Sequence, residues 1–183
     1  MADTPGIKIR MLYPGDSLAE LTAVLHRAFR PLAEQGMRYL AGWQDEEVTR
    51  KRAARGECYV ALDRERIVGT ITFHDTKSTT GCAYYEKEGV ASLHQLAVDP
   101  DYQGRGIGAA LLDVVERRAR ETGAAEIALD TAETNERLIA MYAERGYRIV
   151  DSTQWQVTNY RSVVMTRSCR EAARYPTARR RQR

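Results

Sequence analysis

Apolar and polar residues along this chain fall into short blocks whose period switches between two and about 3.6. Ile7 to Leu12 alternates and predicts a first strand. From Ser17 to about Leu32 the apolar positions Leu18, Leu21, Leu25, Ala28, Phe29 and Leu32 recur at three- and four-residue steps. That spacing predicts an amphipathic helix, with Pro31 and Gly36 expected to end it. A second, more charged helix is expected from about Asp45 to Ala54. Cys58 to Leu62 and Ile67 to Phe73 read as two strands of a hairpin joined by Asp63-Arg64-Glu65-Arg66. Residues 75–89 are polar and contain glycine; they either extend the flanking strands or form a loop long enough to carry a function. Val90 to Val98 is the next strand, ended by Asp99-Pro100. A glycine-rich turn then leads into a helix through about Thr122, with Ile107, Leu111, Val114, Val115 and Ala119 on one face and Gly123 closing it. Ile127 to Leu129 is a short strand, and Thr134 to about Arg145 a helix ended by Gly146. Two last strands fall near Tyr147–Asp151 and Tyr160–Thr166.

The resulting order, β-α-α-β-β-β-α-β-α-β-β, mixes hairpins with βαβ crossovers, so a mixed sheet in an α/β architecture is expected. No internal repeat is visible. A chain of 183 residues suits one domain and can bury about 70% of its unfolded surface. No apolar run approaches the ~20 residues needed to cross a bilayer. The start, MADTPGIKIRML, holds no apolar stretch of secretory-signal length, so the expected location is cytoplasmic, with no membrane partner.

Charge changes the picture of the C-terminus. Seven of the 28 basic residues but one of the 25 acidic ones fall in residues 167–183, which leaves that tail at +6 and the body at −3. Residues 1–166 are therefore expected to form the folded domain and 167–183 a basic, disordered tail. Without stacking aromatics spread through a basic face, the folded part gives no support for nucleic-acid binding. Three cysteines without CxxC spacing argue against a disulfide framework and a structural zinc site; Cys58 is expected in the core. The histidines, His26, His74 and His94, lack matching carboxylate spacing, so no metal is expected.

The segment Val98-Asp99-Pro100-Asp101-Tyr102-Gln103-Gly104-Arg105-Gly106-Ile107-Gly108-Ala109 carries the main chemical signal. Glycines at 104, 106 and 108 let the main chain take φ > 0 and approach a ligand closely. The free amides and positive dipole end of a helix start suit a pyrophosphate. A Walker loop is excluded, since no Gly-Lys pair is present. A dinucleotide-binding turn can be matched by Gly104, Gly106 and Ala109, with Asp130 beyond. That fingerprint follows its strand directly, however, whereas Asp99 to Gln103 intervene here. An ordinary glycine-rich turn is the bland alternative, and three alternate glycines before a strongly apolar helix weigh against it.

The Gln103-Gly104-Arg105-Gly106-Ile107-Gly108 run, behind Leu96-Ala97-Val98-Asp99-Pro100, resembles the Q/R-x-x-G-x-G/A signature of GCN5-related N-acetyltransferases (GNATs). Asn135, Tyr142 and Gly146-Tyr147 resemble a second block of that family, and the order of elements over about residues 7–166 is similar. The resemblance implies a three-layer αβα fold around a mixed, mostly antiparallel, splayed sheet of about seven strands. It implies acetyl-CoA as co-substrate, its arm along Leu96, Ala97 and Val98 and its pyrophosphate on the amides of Gln103, Gly104, Arg105, Gly106, Ile107, Gly108 and Ala109. Asn135 and Tyr142 join the cofactor site by the same resemblance. The Arg105 side chain faces either a phosphate or solvent.

Transfer of an acetyl group to an amine needs a base, an oxyanion donor and an acid for the departing thiolate. The resemblance assigns the acid to Tyr142, and a main-chain N–H near Leu96 is the natural oxyanion donor. For the base, the period of two puts Ser92, His94, Leu96 and Val98 on one face, so His94 is expected beside the cofactor contacts. The local pattern Leu93-His94-Gln95-Leu96-Ala97-Val98 looks like arylalkylamine N-acetyltransferases, which carry a second histidine where Ser92 stands here; histone-type members carry a glutamate there. That departure leaves a relay through Ser92 and water as the alternative base. His26 and His74 are expected to be structural. The implied acceptor pocket draws on the first two helices and last two strands, with Tyr39, Trp43, Tyr84, Tyr85, Trp155 and Tyr160 as candidates. The expected substrate is a small-molecule primary amine, toward which the acidic body would mildly attract a cation. A homodimer is consistent with the family. The rival reading is a non-catalytic acyl-CoA-sensing module whose basic tail engages an acidic partner.

Overall fold

In the computed structural model, which describes residues 6–170, seven strands form one sheet. They are β1 (Ile7–Met11), β2 (Glu57–Asp63), β3 (Arg66–His74), β4 (Val90–Val98), β5 (Glu126–Ala132), β6 (Arg148–Gln154) and β7 (Arg161–Ser168), in the spatial order β1-β2-β3-β4-β5-β7-β6. Every pair is antiparallel except β4 with β5, so the sheet is mixed, as the alternation of hairpins and crossovers predicted. Four α-helices connect the strands: α1 (Leu18–Glu34), α2 (Glu46–Ala53), α3 (Ile107–Glu121) and α4 (Glu136–Glu144).

The helices begin where side chains satisfy the otherwise unpaired first-turn amides. Ser17 Oγ accepts from Glu20 N at 3.1 Å, Asp45 Oδ1 from Val48 N at 2.7 Å and Asn135 Oδ1 from Leu138 N at 3.2 Å. Gly36, at φ +83°, ends α1; Pro31 lies inside the helix, which continues to Glu34 past the one amide hydrogen bond that proline cannot donate.

Alternation along the strands divides the core into two layers. Leu21 and Val24 of α1 and Ala53 of α2 pack on Cys58, Val60, Leu62 and Ile67. On the other face Ile107, Leu111, Val115 and Ala119 of α3, with Tyr142 of α4, pack on Ala61, Val68, Ile71 and Phe73. Gly69 lets α3 approach the sheet: a Cβ there would lie 3.1 Å from Ala97 O and 3.2 Å from Leu111 Cδ1.

Two features extend beyond the sequence expectation. β5 is seven residues long because β7 pairs with it along its whole length, from Glu126↔Ser168 to Ala132↔Ser162. The folded part therefore passes residue 166, with Cys169 buried behind β7. The rest of the expected basic tail, residues 171–183, lies outside the described residues.

The middle of the sheet is where it opens. β4 and β5 pair only at Val90↔Glu126, Ala91↔Ile127 and Ser92↔Ala128, then diverge. Opposite, β4 meets β3 at Thr72↔His94 and Thr70↔Ala97, so Gln95 and Leu96 together face the single residue Ile71. This is a β-bulge, with Gln95 in the left-handed region at φ 55°.

Candidate active site

The divergence of β4 from β5 leaves a cleft of ≈ 310 Å³ walled by Leu93 to Leu96 on one side and Leu129 to Thr131 on the other. The β5-facing edge of β4 beyond Ser92 has no ladder partner, so its backbone groups are open to a ligand. At the C-terminal end of β4, Asp99 is buried and ion-paired to Arg27 at 2.7 Å, which fixes the turn into α3. That turn carries Gly104 at φ +75° and Gly106 at φ +80°, with Gly106 as the helix N-cap and no side chain capping the first turn. A Cβ on Gly104 would meet nothing within 4 Å, which leaves an open approach to the amides at the head of α3. These amides lack intrahelical partners and sit at the positive end of the helix dipole. A strand edge without partners running into an uncapped helix start fits an extended arm that ends in a diphosphate.

The side chains of this segment turn elsewhere. Ile107 is buried in the core, Gln103 Nε2 donates to Val98 O at 3.1 Å, and Arg105 Nη2 donates to Asp101 O at 2.8 Å while its guanidinium lies over Tyr102. Asn135 caps α4 with its side-chain oxygen and does not line the cleft.

The bulge corrects the predicted face of β4. Registers with β3 place Ser92, His94 and Ala97 on the α1 side, whereas Leu93, Leu96 and Val98 pack toward α3. One inserted residue reverses the alternation, so His94 does not share a face with Leu96 and Val98. It nevertheless lines the cleft, as Leu96 and Tyr142 do.

His94 is held by the hydroxyl of Ser92 on β4 and, behind it, that of Thr79 in the 75–89 loop, which forms turns rather than extending the strands. Thr79 Oγ1 donates to Asp75 O at 2.8 Å, so it accepts from Ser92 Oγ at 3.0 Å. With the Ser92 proton committed to Thr79, the partner of Ser92 Oγ at 2.9 Å is a protonated His94 Nε2. The lone pair is left on Nδ1. Burial first, then coupling to His74 and the positive charges of Arg52 and Arg55, hold the His94 pKa well below the ordinary 6.5, so the ring is neutral at pH 7. Its neighbour His74, 4.5 Å away between ring centroids, is lowered to about 4 by burial, Arg55 and Arg52. His74, expected to be structural only, is thus part of the cleft wall.

Tyr142 is buried, and its hydroxyl has no hydrogen-bond partner among the described residues. Burial, with Asp130 and Tyr39, pushes its pKa upward, so the phenol keeps its proton through the neutral range. Of the six candidate acceptor aromatics, Tyr39, Trp155 and Tyr160 line the cleft. Trp43 is exposed, while Tyr84 and Tyr85 are buried, their hydroxyls donating to Glu126 at 2.6 Å and Asp130 at 2.9 Å. Asp130 also accepts from Trp155 Nε1 at 2.8 Å. Sequence reasoning missed Arg52 and Arg55, which line the same cleft. A basic run that ends a helix just before Gly56 was the available signal. Among the described residues no group of three or more His, Cys, Asp and Glu could hold a metal ion, and no helix is long and apolar enough to cross a membrane.

The acetyltransferase (GNAT) family model matches residues 18–147. S-(2-succino)cysteine N-acetyltransferase of Bacillus subtilis (strain 168) is 32% identical over 145 residues, covering 78% of this chain and 84% of that protein. Mycothiol acetyltransferase of Propionibacterium freudenreichii subsp. shermanii is 32% identical over 140 residues, covering 75% of this chain but only 42% of that protein, so the match spans less than half of its length. Among solved structures, the Pyrococcus horikoshii OT3 protein PH1933 superposes with a TM-score of 0.68 at 23% identity, covering 88% of this chain and 98% of that one. A GNAT family acetyltransferase from Elizabethkingia anophelis with acetyl-CoA bound gives 0.64 at 17% identity, covering 89% and 98%.

Proposed function

The chain belongs to the acetyltransferase (GNAT) family and is an acyl-CoA-dependent acetyltransferase, and from that premise we propose that it acetylates a primary amine of a small molecule by direct attack, with His94 as base and Tyr142 as acid. The observation that carries the reading is a cleft, open along the free edge of β4, that places a neutral histidine and an unpartnered phenol on one cavity. The two relatives described above, named for acetylating S-(2-succino)cysteine and for mycothiol acetylation, support a small acceptor.

Acetyl-CoA, when bound, supplies the acetyl group as a thioester. The backbone of Leu96, Ala97 and Val98 is suited to hold its arm, and the amides of Gln103 to Ala109 its diphosphate. The side chains at 97 and 98 are committed to opposite layers, so the cofactor roles there are backbone roles. His94 Nδ1, its tautomer set by Ser92 and Thr79, accepts the proton of the attacking amine. Ser92, hydrogen-bonded to both Thr79 and His94, orients the ring, and a relay through Ser92 and water is the alternative base. A backbone amide of the Gln95–Leu96 bulge would serve as the oxyanion donor, an interaction worth about 3 kcal/mol when preorganised. The Tyr142 hydroxyl donates to the departing sulfur.

Release of free thiol from acetyl-CoA across a panel of amines tests this. Turnover on small amines that is lost in His94→Ala and in Tyr142→Phe is expected. Cofactor binding with no turnover on any amine or peptide would instead indicate a sensing module.

A further inference from the structure

The cleft carries positive charge that the transfer chemistry does not use. Arg52 lies in the last turn of α2 and Arg55 two residues beyond its end, and both line the cavity on the wall that holds His74 and His94. Their delivery there is forced by Gly56. A Cβ at that position would stand 2.1 Å from Phe73 O and 2.5 Å from His74 Cδ2, so only glycine lets the chain carrying Arg55 press against the end of β3.

Most arginines of this protein whose partners are evident are neutralised. Arg10, Arg27, Arg66, Arg118 and Arg145 each meet a carboxylate. Among the described residues Arg52 and Arg55 do not: Arg52 Nη1 donates to a neutral acceptor, Gln44 Oε1, at 2.5 Å, and Arg55 makes no ion pair. Burial lowers Arg52 to about 10, so it stays charged at pH 7. The carboxylate on the cavity wall, Asp130, already accepts from Tyr85 and Trp155. Asp130 acts on Arg52 only through space, so a half-buried guanidinium and its neighbour, with no carboxylate in direct ion-pair contact and facing a cavity, are an incomplete ion-pair site.

We propose that the acceptor amine carries a carboxylate and that Arg52 and Arg55 bind it, making the substrate class small amino acids, including side-chain-substituted ones, rather than simple cationic amines. The inference rests on the acceptor-cleft reading given above. It replaces the weak attraction of a −3 body for a cation with a local field of the opposite sign inside the cleft. Tyr39, Trp155 and Tyr160 leave an aromatic wall for the remainder of the molecule.

The test uses matched amines that differ only in the carboxylate: α-amino acids and S-substituted cysteines against their decarboxylated counterparts. In the unaltered protein the carboxylated member of each accepted pair should have the higher kcat/KM. Arg52→Gln and Arg55→Gln should each raise its KM about 10-fold or more, consistent with loss of a charge-assisted hydrogen bond. The KM of the decarboxylated amine should change far less, any change in kcat shared by both members of a pair reporting the His94 pKa that these arginines depress, and calorimetric affinity for acetyl-CoA should be unchanged. A decarboxylated amine that is used equally well, or variants that raise the KM of both members alike, would overturn the proposal. Equilibrium binding of the same pairs to coenzyme A-loaded protein separates the two readings. Carboxylate- and arginine-dependent binding without turnover keeps the recognition proposal and sinks the catalytic one; binding that ignores the carboxylate sinks recognition whatever the turnover. Circular dichroism melts of the variants verify that they are folded.

Discussion

The two cleft histidines make acid stability a direct measure of the geometry. In the unfolded chain each histidine titrates near pH 6.5. In the fold His74 is lowered to about 4, by burial and then by Arg55 and Arg52, and His94 lies well below 6.5 for the same reasons. The native state therefore keeps both rings neutral while the unfolded state takes up protons. The stability they contribute is complete above about pH 6.5 and is lost as pH falls from there toward the native values. At pH 5 the unfolded His74 is almost fully protonated and the native one about 90% neutral, a difference of about 2 kcal/mol against about 0.2 kcal/mol at pH 7. His94 acts in the same direction. About 2 kcal/mol from His74 alone is a sizeable share of the 5–15 kcal/mol typical of a domain. Asp16, Glu57, Asp75 and Asp99 are lowered by their partners and lose their contributions only as carboxylates protonate, largely below pH 5. Urea unfolding at pH 7, 6 and 5 thus isolates the histidines. His74→Leu should remove about 2 kcal/mol of the loss between pH 7 and 5. A native midpoint that does not move between those values, or a variant with the same pH slope as the parent, would refute the buried neutral pair.

Three further outcomes follow from named contacts. Tyr142→Phe should lower kcat about 100-fold or more with coenzyme A affinity unchanged by calorimetry; equal loss of both would argue against an acid role. Gly106→Val should abolish measurable coenzyme A binding, since a β-branched residue is strained at φ +80° and the strain falls on the α3 amides. Binding at parental affinity would remove the diphosphate from that turn. Gly56→Ala should cost about 1–3 kcal/mol in urea unfolding, because its Cβ meets the fixed backbone oxygen of Phe73.

Much of this protein was legible in its sequence because the information was local. Apolar period marked each strand and helix, side-chain caps marked helix starts, and alternate glycines before α3 marked the anion site; these depend on residues a few positions apart. What the chain alone did not disclose depends on partners far along it. The length of β5 came from β7, about 35 residues later, and α1 runs three residues past Pro31. The face of His94 was decided by one inserted residue in β4, whose presence shows only against the register of β3. The positive wall of the cleft required α2 to be carried onto the end of β3 through Gly56, which gathers Arg52, Arg55, His74 and His94 from three separate elements. Periodicity and turn chemistry are short-range and readable along one line; register, divergence of strands and the electric field of a cavity are sums over residues that only folding brings together.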